Sequence, residues 1–301
     1  MSAADELRSE GKLEEAVPLA PLTTYKFGGP ARYLVTVSSV EDVVRVAELA
    51  AEEGVPVLAL GRGSNLVVSD AGFDGVVLRA GPGLNSWTAA DDGRVEAGAA
   101  VPLPRLARET VREGLGGLAF FTGVPGSVGG AVRMNAGCHG SETKDRLVHA
   151  VVVELASGVV TERTPQQLGM RYRHSDLEDD EFVVQATFVA DPVDPAEGEA
   201  TIREITRWRK EHQPGGAHTA GSVFKNPPGD AAGRIIDSLG LKGLTIGGAR
   251  VSERHANFFE ASPEARAADV RALVEEVRRR VEEATGIDLE PEVRFAGRFD
   301  S

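Results

Sequence analysis

Apolar positions recur along this chain with two periods, and the switches between them mark its elements. Ala31–Val37 alternates, as a half-buried strand does. Ser38-x-x-Glu41 then reads as a capping box opening an amphipathic helix through Val43, Val44, Val46, Ala47 and Leu49, with Gly54 at its end. Val55–Leu60 is apolar throughout and predicts a buried strand. Gly61–Asn65 follows at once, so a strand–helix–strand unit puts a glycine loop at a strand's carboxyl end, where α/β folds bind ligands. Short strands are expected at Gly75–Leu78, Arg94–Ala97 and Val151–Glu154, the last turning at Ser157-Gly158 into Val159–Glu162. A helix over Pro102–Glu113, closed by Gly114, interrupts them, and Val183–Val189 is a further strand.

The texture then changes. Asp191-Pro-Val-Asp-Pro-Ala-Glu197 is acidic and proline-rich and reads as a linker. Beyond it a helix through Ile202, Ile205 and Trp208 leads to the loop Gln213–Ala220, and Gly221–Lys225 is strand-like. A helix at Ala231–Leu239 follows. Ser262-Pro263 is expected to start a long Arg- and Glu-laced helix to Thr285, with Gly286 after it, and Leu289–Phe295 reads as a closing strand. The pattern predicts an α+β chain with two modules, residues 21–193 and 194–301. Residues 1–20, charged and weakly patterned, are expected to form a short helix or a loose arm.

Length and composition suit this division: 301 residues, 42% hydrophobic, can build one or two globular cores. A formal net charge of −13 disfavours nucleic acid as a partner, because phosphate neutralisation needs a basic face. Cys138 is the only cysteine, which excludes an intrachain disulfide and a multi-cysteine metal site. The histidines lack metal-ligand spacing, so no metal is expected. The first residues have no apolar stretch after a basic start, and no apolar run approaches a membrane span. A cytoplasmic protein, with no membrane partner and monomeric, is the resulting expectation.

Glycine distribution carries the chemistry. Eight glycines lie between Gly116 and Gly140, with small side chains between most of them and Arg133 the only charged one in Gly123–Gly140. Such a tract lets a ligand approach the main chain and offers amide groups to an anion. Gly61-Arg-Gly-Ser-Asn65 is a second candidate, although Leu66 stands where a dinucleotide fingerprint needs its third glycine, and no Walker A sequence is present. Two phosphate-cradling loops in one domain suggest a large dinucleotide, read here as a flavin. The cofactor-binding candidates are Gly61, Arg62, Gly63, Ser64, Asn65 and Leu66 in the first loop. In the second they are Gly123, Pro125, Gly126, Ser127, Gly129 and Gly130, followed by Asn135, Ala136 and Gly137.

Six motifs occur in order: Gly61-Arg-Gly-Ser-Asn65, Gly123-Val-Pro-Gly-Ser-Val-Gly-Gly130, Asn135-Ala-Gly137, Tyr172-Arg173, Gly221-Ser-Val-Phe-Lys-Asn-Pro227 and Leu289-Glu-Pro-Glu-Val-Arg294. From Pro21 onward the chain resembles the UDP-N-acetylenolpyruvoylglucosamine reductases, the MurB family of peptidoglycan synthesis. The resemblance implies an FAD-binding domain of the vanillyl-alcohol-oxidase type and a C-terminal substrate domain. It also implies the reaction: NADPH reduces noncovalently held FAD, which reduces an enolpyruvyl ether to a lactyl ether on a UDP-sugar. Hydride delivery to one alkene carbon leaves negative charge beside the carboxylate, to be stabilised and then protonated.

On that resemblance Ser222 is the proton donor: a serine hydroxyl is a poor acid but can protonate a strongly basic enolate. Arg173, rather than Arg171, is the clamp for the carboxylate and the developing charge. Glu292, matching the second glutamate of Glu-Pro-Glu-Val-Arg, is the third catalytic candidate and is expected to be protonated or to orient Ser222 or a water. Tyr172, Arg209, His212, Lys225 and Asn226 are the substrate-contact candidates, with structural roles open for Lys225 and Asn226. Relatives carry lysine where this chain has His212, so diphosphate affinity is expected to fall as pH rises above the histidine pKa.

The only tyrosines are Tyr25, Tyr33 and Tyr172, so this chain looks like the shorter branch of the family, without the tyrosine-bearing loop. Two other readings stay open: a different flavin oxidoreductase, such as an alcohol oxidase, and a nucleotide-sugar-binding protein without chemistry.

Overall fold

The first long helix starts one residue later than the sequence pattern predicts. Its N-cap is Ser39, extended at φ −147°, and the Ser39 hydroxyl accepts the Asp42 amide at 3.2 Å. Asp42, not Glu41, completes the cap, because its carboxylate is buried and accepts the Ser38 amide at 2.8 Å and Lys12 Nζ at 2.6 Å. Glu41 lies outside and pairs with Arg45. The helix, Val40–Glu53, ends at Gly54 in left-handed backbone, φ +63°, as a C-terminal glycine does.

In this computed structural model, residues 2–215 and 218–299 are described, and the chain divides into two units. The first comprises Met1–Glu15, Tyr33–Arg62 and Gly75–Arg209; the second comprises Ala16–Arg32, Gly63–Asp74 and Lys210–Ser301. The expected division at residue 193 is therefore corrected: the chain is interleaved, and two early segments belong with the C-terminal part.

The first unit holds two larger sheets besides two short two-stranded ladders. A four-stranded sheet has the order Leu13–Pro18, Pro30–Val37, Phe73–Ala80 and Val57–Leu60, the last two parallel. It packs with the Val40–Glu53 helix around Val35, Val43, Val46, Leu49, Val76 and Leu78. A five-stranded antiparallel sheet has the order Val160–Arg163, Leu147–Glu154, Glu181–Val189, Arg94–Gly98 and Trp87–Ala89. Its core gathers Leu103, Leu106, Phe121, Val128 and Phe188, with helices Leu103–Arg112 and Val128–Met134 against it.

One further expectation is corrected here and one is resolved. The N-terminal residues form the short helix, Ala3–Ser9, and not the loose arm; a strand, Leu13–Pro18, follows, and Ala3, Leu7 and Leu13 are core residues. Nor is Asp191–Glu197 a linker. Asp191 and Pro192 pair antiparallel with Leu115 and Gly116, and the helix Pro195–His212 begins at once, with Gly198 against Val111.

In the second unit one core unites Tyr25, Phe27 and Val67 with Phe224, Ile236, Phe259, Leu273 and Val277. The long helix is Ala267–Thr285, starting four residues after Pro263, because the Asp70 carboxylate accepts the Ala267 and Ala268 amides at 2.9 and 3.1 Å. The closing strand is only Arg294–Ala296, parallel to Leu66–Val68. Gly221–Lys225 makes isolated bridges, Ser222 to Phe258 and Phe224 to Pro291, and joins no sheet. No helix among the described residues is long and apolar enough to cross a membrane.

Candidate active site

In the first unit the glycine loops meet. A Cβ built on Gly61 would lie 3.0 Å from Ser127 Oγ, while one built on Gly130 would touch nothing within 4 Å. Ser127, buried and extended, begins the short helix Val128–Met134 without using its hydroxyl as a cap. The expectation that the tract leaves its amides free for an anion needs correction at two positions. Val128 N–H donates to Val101 O and Gly129 N–H to Ala99 O, each at 3.0 Å. Gly126 O is also taken, by the Leu103 amide. Pro125 precedes the bend at Gly126. What remains for a dinucleotide is a cradle of small residues at Gly61, Ser127 and Gly130, which fits close approach by a phosphate.

Other glycines serve the fold. A side chain on Gly123 would collide with Cys138 Sγ, and one on Gly63 with the Leu22 carbonyl, where φ +60° already demands glycine. Asn135, fully buried at φ +41°, spends its amide on Glu142 Oε2 (3.0 Å), Arg171 O (2.9 Å) and the Lys144 N–H (2.9 Å). Ala136 donates to Ala131 O, and its own carbonyl accepts Thr143. Arg62 is exposed; Ser64 and Leu66 lie in the second unit, Leu66 opening the strand beside Arg294.

Arg173 stands out by its backbone. It sits at φ +52°, a left-handed conformation that costs a residue with a side chain about 1–3 kcal/mol and concentrates at functional sites. Its guanidinium lies 4.9 Å from the Tyr172 ring centroid, donates to Gly137 O at 2.7 Å and faces Glu142 Oε1 at 3.5 Å. Arg171 instead forms an exposed ion pair with Asp176. Arg209 is half-buried, and burial lowers its pKa while the Cys138 thiol opposes that. Burial pushes the thiol up to about 11, against the pull of Arg209 and Arg173. Its neighbour His139 stands edge-on to Trp208 at 5.1 Å.

In the second unit Ser222 is fixed by main-chain clamps on the residues beside it. Val223 N–H donates to Asn257 O (2.8 Å), and Phe224 exchanges two bonds with the buried Asn257 side chain (2.9 and 2.8 Å). On the other side the Glu292 amide donates to Val223 O at 2.7 Å, and Asn65 Nδ2 donates to Glu292 O at 2.9 Å. The sequence thus brings Ser222 and Glu292 onto adjacent backbones. Gly221, at φ +78° with open space where a Cβ would be, leaves the approach to Ser222 clear. Lys225 pairs with Glu290 at 2.6 Å, and Asn226 Oδ1 accepts the Ala232 amide at the start of a helix.

A cleft of about 420 Å³ opens beside Ser222 and Asn226. Arg234, Lys242, Arg254 and His255 line it with a single carboxylate, Asp237. Sequence reading missed all of these. Lys242 pairs with Asp237, and Arg254 donates to the Lys210 and Glu211 carbonyls. Burial lowers the His255 pKa, with the charges of Lys242 and His212 adding to it. The only sequence signal was the polar run Ser252-Glu-Arg-His-Ala-Asn257, which has no motif chemistry until it folds against Ser222. Such a cleft, cationic and half-polar, suits a diphosphate or sugar. Among the described residues no group of His, Cys, Asp and Glu could hold a metal ion.

Comparison with known proteins finds two matching families. Residues 31–163 match an FAD binding domain family, and residues 213–296 match the C-terminal domain of UDP-N-acetylenolpyruvoylglucosamine reductase. The chain is 45% identical to the UDP-N-acetylenolpyruvoylglucosamine reductase of Methylorubrum populi, covering 98% of this chain and 94% of that protein. It is 43% identical to that of Caulobacter vibrioides, over 96% of each. Its structure resembles the crystal structure of the same reductase from Thermus caldophilus with a TM-score of 0.80 and 38% identity, covering 93% of this chain and 98% of that one. With motifs, fold and near-complete coverage in agreement, this chain belongs to the UDP-N-acetylenolpyruvoylglucosamine reductase family.

Proposed function

We propose that this protein reduces the enolpyruvyl ether of UDP-N-acetylglucosamine to the lactyl ether, UDP-N-acetylmuramate, for peptidoglycan synthesis. FAD, reduced by NADPH, supplies the hydride. Gly61, Ser127 and Gly130 would hold the cofactor noncovalently. The double bond gains one hydride and one proton and no other bond breaks. The chain's own residues therefore have two roles, to bear the charge that appears beside the carboxylate and to deliver the proton.

Arg173 bears the charge, because a planar guanidinium grips a carboxylate through two donors and holds enolate charge as it forms. Ser222 delivers the proton, its hydroxyl protonating the carbon beside the carboxylate. Glu292 returns a proton to Ser222 or orients it. A charged carboxylate beside the enolate would repel it, so Glu292 either acts protonated or only orients Ser222 or a water. The cleft lined by Asn226, Lys242, Arg254 and His255 takes the diphosphate, and Tyr172, Arg209, His212 and Lys225 are the further substrate-contact candidates. The protein works as a cytoplasmic monomer, without nucleic acid or membrane.

The observation that carries this reading is the double clamp on Val223 and Phe224 beside Ser222, by Asn257 and by the Glu292 backbone. Ser222→Ala tests it. Reduction by NADPH, followed as bleaching near the flavin absorption band, should stay within about twofold of the parent. Reoxidation by the enolpyruvyl sugar should slow roughly 10²–10⁴-fold, the range for a lost general acid. Equal losses in both half-reactions would make Ser222 a structural residue and sink the assignment. Reoxidation by oxygen in preference to the sugar would favour an oxidase instead.

A further inference from the structure

Arg173 is aimed by a hairpin. Gly137 and Glu142 are paired residues of a two-residue antiparallel ladder, Gly137–Cys138 against Ser141–Glu142. Both face the same guanidinium, Gly137 through its carbonyl at 2.7 Å and Glu142 through Oε1 at 3.5 Å. The two side chains are each only 18% exposed, so water competes weakly for this contact. The other carboxylate oxygen is tied down independently: Oε2 accepts Asn135 Nδ2 and Lys144 Nζ, both at 3.0 Å. Asn135 cannot turn away, since its amide also spans the Arg171 carbonyl and the Lys144 N–H. The Glu142 amide is itself held by Asp145 Oδ2 at 2.8 Å.

We infer that Glu142 is a positioning residue for the reduction, fixing the direction of the Arg173 guanidinium while the Asn135 and Lys144 side chains fix Glu142. The chain of contacts runs Lys144 and Asn135 to Oε2, Oε1 to Arg173, and Arg173 to the substrate carboxylate. It explains why a left-handed arginine is tolerated: the strained backbone is matched by a preset side-chain direction. A guanidinium held before the charge develops needs no reorganisation when it does. This role of Glu142 rests on Arg173 being the carboxylate clamp.

The test measures both half-reactions by rapid mixing, together with stability in urea. Glu142→Ala should slow reoxidation by the enolpyruvyl sugar about 10- to 100-fold, since small misplacement of a catalytic group costs up to about 10². Reduction by NADPH should hold. Glu142→Gln keeps one acceptor oxygen but turns its amide N–H toward either Arg173 or the Asn135 and Lys144 donors, so it should recover only part of the loss. In an Arg173→Ala background, Glu142→Ala should add less than about twofold, because the group it acts through is gone. Multiplying losses in the double variant, with Arg173→Ala slow by itself, would overturn the Glu142 role and leave the clamp standing. Equal slowing of both half-reactions with a lowered urea midpoint would also overturn it, reducing Glu142 to hairpin support. Unchanged reoxidation in Arg173→Ala alone would refute the clamp and the Glu142 role together.

Discussion

Asn226 does structural work whatever it contributes to a ligand. Its Oδ1 accepts the Ala232 amide, an orphan donor at the start of the Ala232–Ser238 helix. Loss of a cap costs about 1 kcal/mol, so Asn226→Ala should lower the urea midpoint while Asn226→Asp should preserve it. An unchanged midpoint would leave the residue with a ligand role only. Cys138 is a case where the structure replaces chemistry with packing: the thiol donates to Phe120 O at 3.0 Å, and burial holds it protonated up to about pH 11. It should resist iodoacetamide at pH 8, checked by mass spectrometry, where an exposed thiol would be alkylated within minutes. At this scale the sequence favours Arg173 over Arg171 and Glu292 over Glu290 by motif alone. It could not show Asn257 or Glu142, because their importance lies in reaching backbone and side chains far away in the chain, and neither has a spacing signature.

Among elements, the N-terminal helix shows why weak patterning leaves two readings open. Asp5, Glu6, Arg8 and Glu10 dominate the segment's appearance, and only Ala3, Leu7 and Leu13 turn inward. One buried leucine among many charges is enough to seat a helix, but too little to exclude a loose arm from the sequence. Leu7 is fully buried, so Leu7→Ala should destabilise the protein by about 2–5 kcal/mol in urea unfolding. A loose arm would give no change. The strands and helices with a full period, such as Pro30–Val37, Val40–Glu53 and Leu103–Arg112, were legible to within a few residues. Their ends were not, because the decisive caps come from elsewhere: Asp42 displaces Glu41, and Asp70 starts a helix almost two hundred positions along the chain. Gly221–Lys225 is strand-like only in isolated bridges at Ser222 and Phe224, and its bonds go to a side chain and a loop rather than to a neighbouring strand.

For the molecule as a whole, acid is expected to act in two stages. Burial first, and then nearby positive charge, keeps His255 below its ordinary pKa. The unfolded chain therefore binds the extra proton more readily, and the stability this residue contributes is present above about pH 6.5 and falls as pH drops below it. Burial alone would raise the Asp42 carboxyl, but Lys12 and the Ser38 amide outweigh it and hold it below the usual carboxylate value. Its contribution is present above about pH 4 and lost as pH falls through the lowered value. Melting temperatures from pH 8 to 3 should show both declines, and His255→Gln should remove the upper one; a flat profile between pH 7 and 5 would contradict this. Where the chain's two modules part was illegible, since no composition shift marks residues 16–32 and 63–74 as belonging with the C-terminal part. That interleaving restricts recombination. Splicing the tail of one relative onto the head of another at a single crossover would join a strand at Arg294–Ala296 to a foreign Leu66–Val68 edge and a helix to a foreign Asp70. Viable chimeras should instead exchange three stretches at once, and selection from a shuffled library would reveal those stretches as co-inherited.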